Sequence, residues 1–289
     1  MEGESGLEGR RPAEESLVQG PIENALMLTA AGNAYLAGRD MSGFWPNAPT
    51  FKFTKLCEFR LPPPSGKDSD EHPLRAADPL AWFASLKPWC RGLRLHFTQR
   101  KRAPNQQIDA PDRMLVAFVG GGPRWLIEAV GAKDSELWEA FHRVGDQKDP
   151  ERRIWLCTHI LQGTIPKAEV EPINPVQALS DLRSALPEIE EYARDEKYDN
   201  FADCFQRARE ALDNRLVVDA PWISELVRYT GFDQTQLNML QAINHAWVFG
   251  GMGSWNDLGG GERYDQVSEK LFSALNDCIC GLANSTYRG

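Results

Sequence analysis

The sequence contains no segment that would place the protein in or across a membrane. No stretch approaches the roughly 18 uninterrupted apolar residues that a spanning helix needs, and the first residues do not show the basic-then-apolar order of a signal peptide. The 289 residues are 25% charged and 42% AVILMFWYC, which is typical of a globular protein with a substantial core. We therefore expect a soluble, cytoplasmic protein with no membrane partner.

Cysteine is scarce, with six residues and no CxxC pair, so the chain has no disulfide framework and its thiols are expected to be reduced. Cys157 and His159 are two residues apart on a predicted strand and therefore share one face, which is acceptable spacing for two metal ligands. His96 and His142 are the nearest further candidates. Packing beside a polar edge is the simpler interpretation, and we predict no metal and no other cofactor.

The chain has no basic excess in either half. Residues 166–289 carry 11 Lys and Arg against 20 Asp and Glu, whereas residues 1–165 carry 21 of each sign. Nucleic-acid binding needs a basic face that neutralises phosphates, so the composition predicts no nucleic-acid partner. The acidic excess is explained by a solvated surface, and the alternative is contact with a basic protein partner.

The common catalytic motifs are missing too. Ser254 lacks the flanking glycines of the G-x-S-x-G nucleophile elbow. The glycines at 120–122 precede a predicted strand, whereas a phosphate cradle precedes a helix, and no Gly-Lys-Ser/Thr occurs in the chain. These glycines indicate a hairpin turn.

Periodicity divides the chain into two halves and predicts the α+β class. Residues 1–19 have almost no apolar pattern and are predicted to be a disordered tail. Residues 20–165 are predicted to be mainly β, an antiparallel meander of five or six strands, and residues 175–289 to contain about five helices, packed on the sheet as one domain or beside it. The strands are expected near residues 51–61, 93–97, 114–119, 124–130, 137–142 and 153–161. Residues 25–38 fit a helix or a strand equally well.

One predicted helix has an unusual composition. Residues 234–249 contain no Lys, Arg, Asp or Glu, and a helix that faces solvent normally carries charge, so we expect it to be central. Asn238, Gln241 and His245 lie on its polar side. A buried amide or imidazole without a partner costs about 1 to 3 kcal/mol, so these groups must be paired inside the fold or line a pocket or interface.

A glycine-rich loop with an aromatic, an amide and a carboxylate follows this helix, at residues 250–257. Glycines at three of its first four positions permit positive φ and close backbone approach. The alternative is a turn whose tryptophan fills the core and whose Asn and Asp bond the backbone. The candidate binding residues are Asn238, Gln241, His245, Gly251, Gly253, Trp255, Asn256 and Asp257.

These features predict a non-catalytic interaction or ligand-binding protein that holds a protein partner through the helix and loop at 238–257. The alternative is a hydrolase in which His245 acts as base, Asp257 orients it and the amides of residues 250–253 bind an anion. The sequence identifies neither the partner nor the oligomeric state.

Overall fold

The computed structural model of the chain describes residues 20–63, 72–98, 110–166, 172–215 and 221–289. The tail that we predicted at residues 1–19 lies outside these ranges. The described residues form nine α-helices and one six-stranded sheet, which confirms the α+β class. No helix among them is long and apolar enough to cross a bilayer.

Helices interrupt the strands in the first half of the chain, and the second half is helical. In chain order the elements are α1 (Gly20–Leu36), α2 (Phe44–Asn47), β1 (Thr54–Arg60), β2 (Leu74–Ala76), α3 (Pro79–Leu86), β3 (Gly92–Thr98), α4 (Asp112–Leu115), β4 (Arg124–Val130), β5 (Asp134–Val144), β6 (Trp155–Pro166), α5 (Pro175–Asp195), α6 (Asp199–Leu212), α7 (Pro221–Thr230), α8 (Gln234–Ala246) and α9 (Gly261–Asn284). Two 3₁₀ turns lie at Pro49–Phe51 and Trp255–Asp257.

The strands form one mixed sheet in the order β2-β1-β6-β5-β4-β3. Strands β3 to β6 are consecutive antiparallel neighbours, as the meander predicts. Strand β1 lies between β2 and β6 and pairs parallel with β6, so the prediction of a purely antiparallel sheet is wrong. The alternation of apolar and polar residues has the same period in either strand direction, and it therefore carries no information about parallel pairing.

The segment before β4 also differs from the predicted meander. We expected a strand at residues 114–119, but Asp112–Leu115 is a helical turn. The buried guanidinium of Arg113 forms ion pairs with Asp265 and Glu269 of α9, which holds this turn against the helical half. A short apolar run does not distinguish a strand from a helical turn, because neither period repeats often enough to be recognised.

Helix α1 lies at the centre of the fold and includes most of the segment that the sequence left open between helix and strand. Thirteen of its 17 residues are buried, as expected of a helix that is apolar on nearly every side. At Gly32 the helix approaches the sheet so closely that a Cβ would overlap the side chain of Leu93. The sheet is therefore covered on this face by a helix that precedes it in the chain.

The helical half contains the elements that the periodicity predicts. A capping box starts α8, because Asp233 accepts from the Gln236 N–H at 2.9 Å and the Gln236 side chain accepts from the Asp233 N–H at 2.7 Å. Seven of the 13 residues of α8 are buried, which confirms the internal position expected for this uncharged helix. The buried apolar residues of sheet and helices belong to one cluster.

Candidate functional site

The polar side of α8 differs in its pairing from one residue to the next. Asn238 is buried, accepts a hydrogen bond from Gln234 at 2.8 Å and donates one to Asn214 at 3.2 Å. Gln241 is also buried, and its Oε1 has no hydrogen-bond partner among the described residues. Asn238 is therefore paired inside the fold, which is one of the two alternatives that the sequence leaves open. The Oε1 of Gln241 is a hydrogen-bond acceptor without a donor among the described residues.

The structure does not bring His245 and Asp257 together. His245 is half-buried, and burial, reinforced by the nearby charge of Arg207, lowers the pKa of its imidazole. The exposed carboxylate of Asp257 accepts a hydrogen bond from the backbone N–H of Gly253 and so closes the glycine-rich loop on itself. Within the described residues no hydrogen bond or ion pair joins the two side chains, and the oriented imidazole that a hydrolase needs is not formed.

Trp255 is a core residue and not an exposed aromatic face. Its side chain is 0% exposed, its indole N–H donates to Ser268 Oγ at 2.7 Å, and its ring stacks on Tyr264 with 5.5 Å between centroids. The neighbouring Asn256 is buried and donates to the backbone carbonyl of Arg113 at 2.8 Å. These two predicted binding residues therefore attach the loop to the fold.

The exposed part of the glycine-rich loop lies beside a second loop, which includes Ala117, Phe118 and Val119. The sequence predicts a strand for these residues. Gly251 lies beside Ala117, since a Cβ on Gly251 would stand 3.9 Å from the Ala117 Cβ. Met252 is 98% exposed, and Phe118 and Val119 of the second loop are 67% and 58% exposed. We call Phe118, Val119 and Met252 the loop-tip surface. The sequence does not indicate that Phe118 and Val119 are surface residues, because the apolar run at residues 114–119 predicts a strand.

Carboxylates occur on the segments that hold the two loops. Asp257 is exposed at the base of the glycine-rich loop, and Asp265 and Glu269 project from the first turns of α9. The last two pair with Arg113, whose carbonyl holds Asn256. Two carboxylates thus pair with the one guanidinium of Arg113, and the third, Asp257, lies in the loop that carries Met252.

A second polar cluster lies on the inner face of the sheet. Cys57 of β1 and His142 of β5 are both register partners of Cys157 on β6, which lies between them. Cross-strand partners project to the same face, and residues two apart on a strand also share a face. Three residues therefore form a row across the sheet, and His159 adjoins the row along β6.

Three of the four side chains lie close together and are buried, and His142 lies beside Cys157 on the neighbouring strand. The ligand atoms of Cys57, Cys157 and His159 all lie within 4.8 Å of one another, and all three residues are buried. The sulfur of Cys157 is 3.7 Å from His159 Nδ1. His142 is half-buried, and its Nε2 is inaccessible to solvent and has no hydrogen-bond partner among the described residues.

The electrostatics of this cluster centre on Cys157. A hydrogen bond with the Cys57 thiol, aided by the imidazoles of His159 and His142, holds the pKa of Cys157 well below its usual value. Burial raises the pKa of the Cys57 thiol. Burial also lowers the pKa of His142, but the Cys157 sulfur beside it outweighs this effect and raises the pKa above its ordinary value. The pKa values of the two adjacent thiols are therefore shifted in opposite directions.

Aromatic side chains and a cavity surround the cluster. The Phe59 ring stacks on the His159 imidazole, with 4.5 Å between centroids, and on the Trp82 indole at 4.2 Å. A cavity of about 170 Å³ adjoins the cluster at His142. Its lining includes Glu23, Asn24, Thr50, Thr54, His142 and Trp155. The sulfur atoms are therefore enclosed by rings on one side, and His142 lies between them and the cavity.

Comparisons with known proteins find no matching family, no matching curated protein and no matching solved structure.

Proposed function

We propose that the protein is a non-catalytic interaction protein that holds a protein partner through the loop-tip surface. The observation that supports this most directly is the exposure of three large apolar side chains, Phe118, Val119 and Met252, on two adjoining loops. Single exposed apolar residues are common on protein surfaces, but adjoining ones that are rimmed by polar groups mark interaction sites. The proposed site retains the glycine-rich loop that the sequence predicts. Its apolar contacts come from the exposed Phe118, Val119 and Met252 and not from the buried Trp255.

The chemistry around this surface indicates what the partner carries. Asp257 lies in the loop of Met252, Asp265 and Glu269 pair with Arg113 of the turn that precedes Phe118, and the second half of the chain holds 20 acidic against 11 basic residues. Apolar side chains at the centre of an interface supply most of the affinity, whereas charges at its rim set the orientation and the rate of association. We infer a partner segment with a large apolar side chain flanked by Lys or Arg.

Comparative affinity capture tests this proposal. The same lysate is passed over three immobilised proteins, which are the wild type, the double variant Phe118→Ser/Met252→Ser and the control Val176→Ser. The control removes a side chain of α5 that is 75% exposed. Proteins retained equally by wild type and control, and at least about tenfold less by the double variant, are then purified. Their dissociation constants, measured by calorimetry, should rise by about the same factor for the double variant and should also rise with added salt.

Two results would overturn the proposal. One is equal capture by wild type and the double variant, and the other is a loss of capture in Val176→Ser that matches the loss in the double variant. The hydrolase alternative is not proposed, because His245 and Asp257 form no hydrogen bond or ion pair with each other in the described part of the chain.

A further inference from the structure

We propose that Cys57, His142, Cys157 and His159 form a metal centre that binds one zinc ion between strands β1, β5 and β6. The centre is independent of the loop-tip surface and of the proposed interaction. It departs from our expectation of no metal, which named Cys157 and His159 with His96 and His142 as further candidates and did not include Cys57.

The distances between the ligand atoms suit a tetrahedral ion. With Zn–S near 2.3 Å and Zn–N near 2.0 Å, the ligand atoms of such a site lie about 3.3 to 3.8 Å apart. The 3.7 Å between Cys157 Sγ and His159 Nδ1 is within this range, and the Cys57 sulfur lies within 4.8 Å of both groups. Small side-chain rotations, with no movement of the strands, would bring these three ligands into place.

The thiols of the cluster are bonded differently from a structural thiol elsewhere in the core. The buried Cys278 donates to the carbonyl of Ala178 at 3.1 Å, as a thiol that serves only packing does. Cys157 instead lies 3.7 Å from His159 Nδ1 and within 4.8 Å of the Cys57 sulfur, and His142 is its register partner on β5. A sulfur held among other metal-ligating groups is arranged for coordination, whereas a sulfur on a carbonyl is not.

The unpaired nitrogen of His142 supplies the fourth ligand and an independent reason for the ion. A buried polar atom without a hydrogen bond costs about 1 to 3 kcal/mol, and such atoms are uncommon in folded proteins. His142 Nε2 is such an atom among the described residues, and His142 is the register partner of Cys157. Coordination by its lone pair accounts for a nitrogen that is kept from solvent and has no donor.

The ligand set selects the metal. Two thiolates and two neutral imidazoles match the closed tetrahedral sites of structural zinc, whereas magnesium and calcium require oxygen ligands. Two thiolates also balance the charge of a divalent cation, so that the site carries no net charge beside Phe59, Trp82 and Trp138. Four protein ligands leave no position for a reactive water, and the centre is structural.

The metal centre would stabilise the parallel pairing of β1 with β6. Cys57 lies on β1, and the other three ligands lie on the β5–β6 hairpin. Joining residues so distant in the chain removes conformational freedom from the unfolded state, and the binding energy of the metal adds to the folding energy.

The experiment uses the full chain, purified with a reductant, and measures its metal content and cobalt spectrum. We expect close to one zinc ion per chain by mass spectrometry. Cobalt added after zinc removal should give thiolate charge-transfer bands and the intense visible bands of tetrahedral cobalt. Cys157→Ser should lose both signals, and His142→Ala should lower zinc affinity by at least about tenfold. Cys204→Ser, a half-buried thiol outside the cluster, is the matched control and should retain both.

A measurement on the wild type alone guards against variants that fail to fold. Zinc added to the metal-free protein should raise its melting temperature, and magnesium should not, since a ligand that binds only the folded state stabilises it. The proposal is overturned by wild type without zinc and without cobalt bands, by an unchanged melting temperature, or by Cys204→Ser losing metal as fully as Cys157→Ser. Phe118→Ser/Met252→Ser should keep its zinc, so failure of the interaction proposal leaves this one intact.

Discussion

Trp255 and Phe118 lie in opposite environments, although the two loops that carry them adjoin each other at Gly251 and Ala117. Trp255 is 0% exposed, donates to Ser268 and contacts Tyr264, whereas Phe118 is 67% exposed. We expect Trp255→Ala to lower the free energy of unfolding by about 3 to 5 kcal/mol, because it leaves a cavity and an unpaired hydroxyl. Phe118→Ala should change it by less than about 0.5 kcal/mol. Urea unfolding measures both, and a Trp255→Ala protein as stable as wild type would contradict the packing.

The sequence could not assign these individual positions. Gly, Asn and Asp are favoured both in tight turns and in ligand-binding loops, so the composition of residues 250–257 fits either use. The burial of Trp255 depends on α9, which the loop precedes in the chain. The four Cys and His residues of the proposed metal centre illustrate the same limit, because the pairing of β1 with β6 decides that Cys57 lies beside Cys157.

At the level of elements, asparagine side chains cover the β3 edge of the sheet, where the described residues add no further strand. The Asn284 amide accepts from the Leu95 N–H at 2.7 Å and donates to the Leu95 carbonyl at 3.1 Å. Asn33 of α1 does the same for Leu93, at 2.6 and 2.9 Å. These bonds satisfy backbone groups that would otherwise be available for edge-to-edge association.

We expect Asn284→Ala to lower the free energy of unfolding by about 2 kcal/mol, because it leaves both polar groups of Leu95 without partners in a part-buried place. Asn200→Ala, at an exposed position of α6, is the control and should be neutral. Denaturant titration gives the difference. Equal midpoints for the two variants would show that the bonds to Leu95 contribute nothing.

The elements themselves were largely predictable, and their arrangement was not. Alternation predicts β1 and β3, and apolar residues three and four apart predict the first helices of the second half, because both patterns are local consequences of one buried face. The short β2 and the turn at Asp112–Leu115 contain too few residues for a period. The parallel position of β1 depends on contacts between distant segments, and no local pattern encodes it.

The whole molecule is joined across the boundary between its sheet-rich and helical halves. Helix α9, from the C-terminal half, bonds β3 through Asn284 and holds the turn before β4 through its ion pairs with Arg113. The buried apolar residues on both sides belong to one cluster. Elements that share a core lose their contacts together, because opening one half exposes the apolar surface of the other.

We therefore expect the full chain to unfold in one cooperative transition. The midpoints followed by far-UV circular dichroism, which reports mainly the helical half, and by tryptophan fluorescence should coincide, and the calorimetric and van't Hoff enthalpies should agree. Trp82, Trp125 and Trp138 report the sheet and Trp255 the helices. Asn284→Ala should lower both midpoints by the same amount, because the two halves share one core and unfold together. Two resolved transitions, or a shift confined to one probe, would mean that the halves are separate domains in contact.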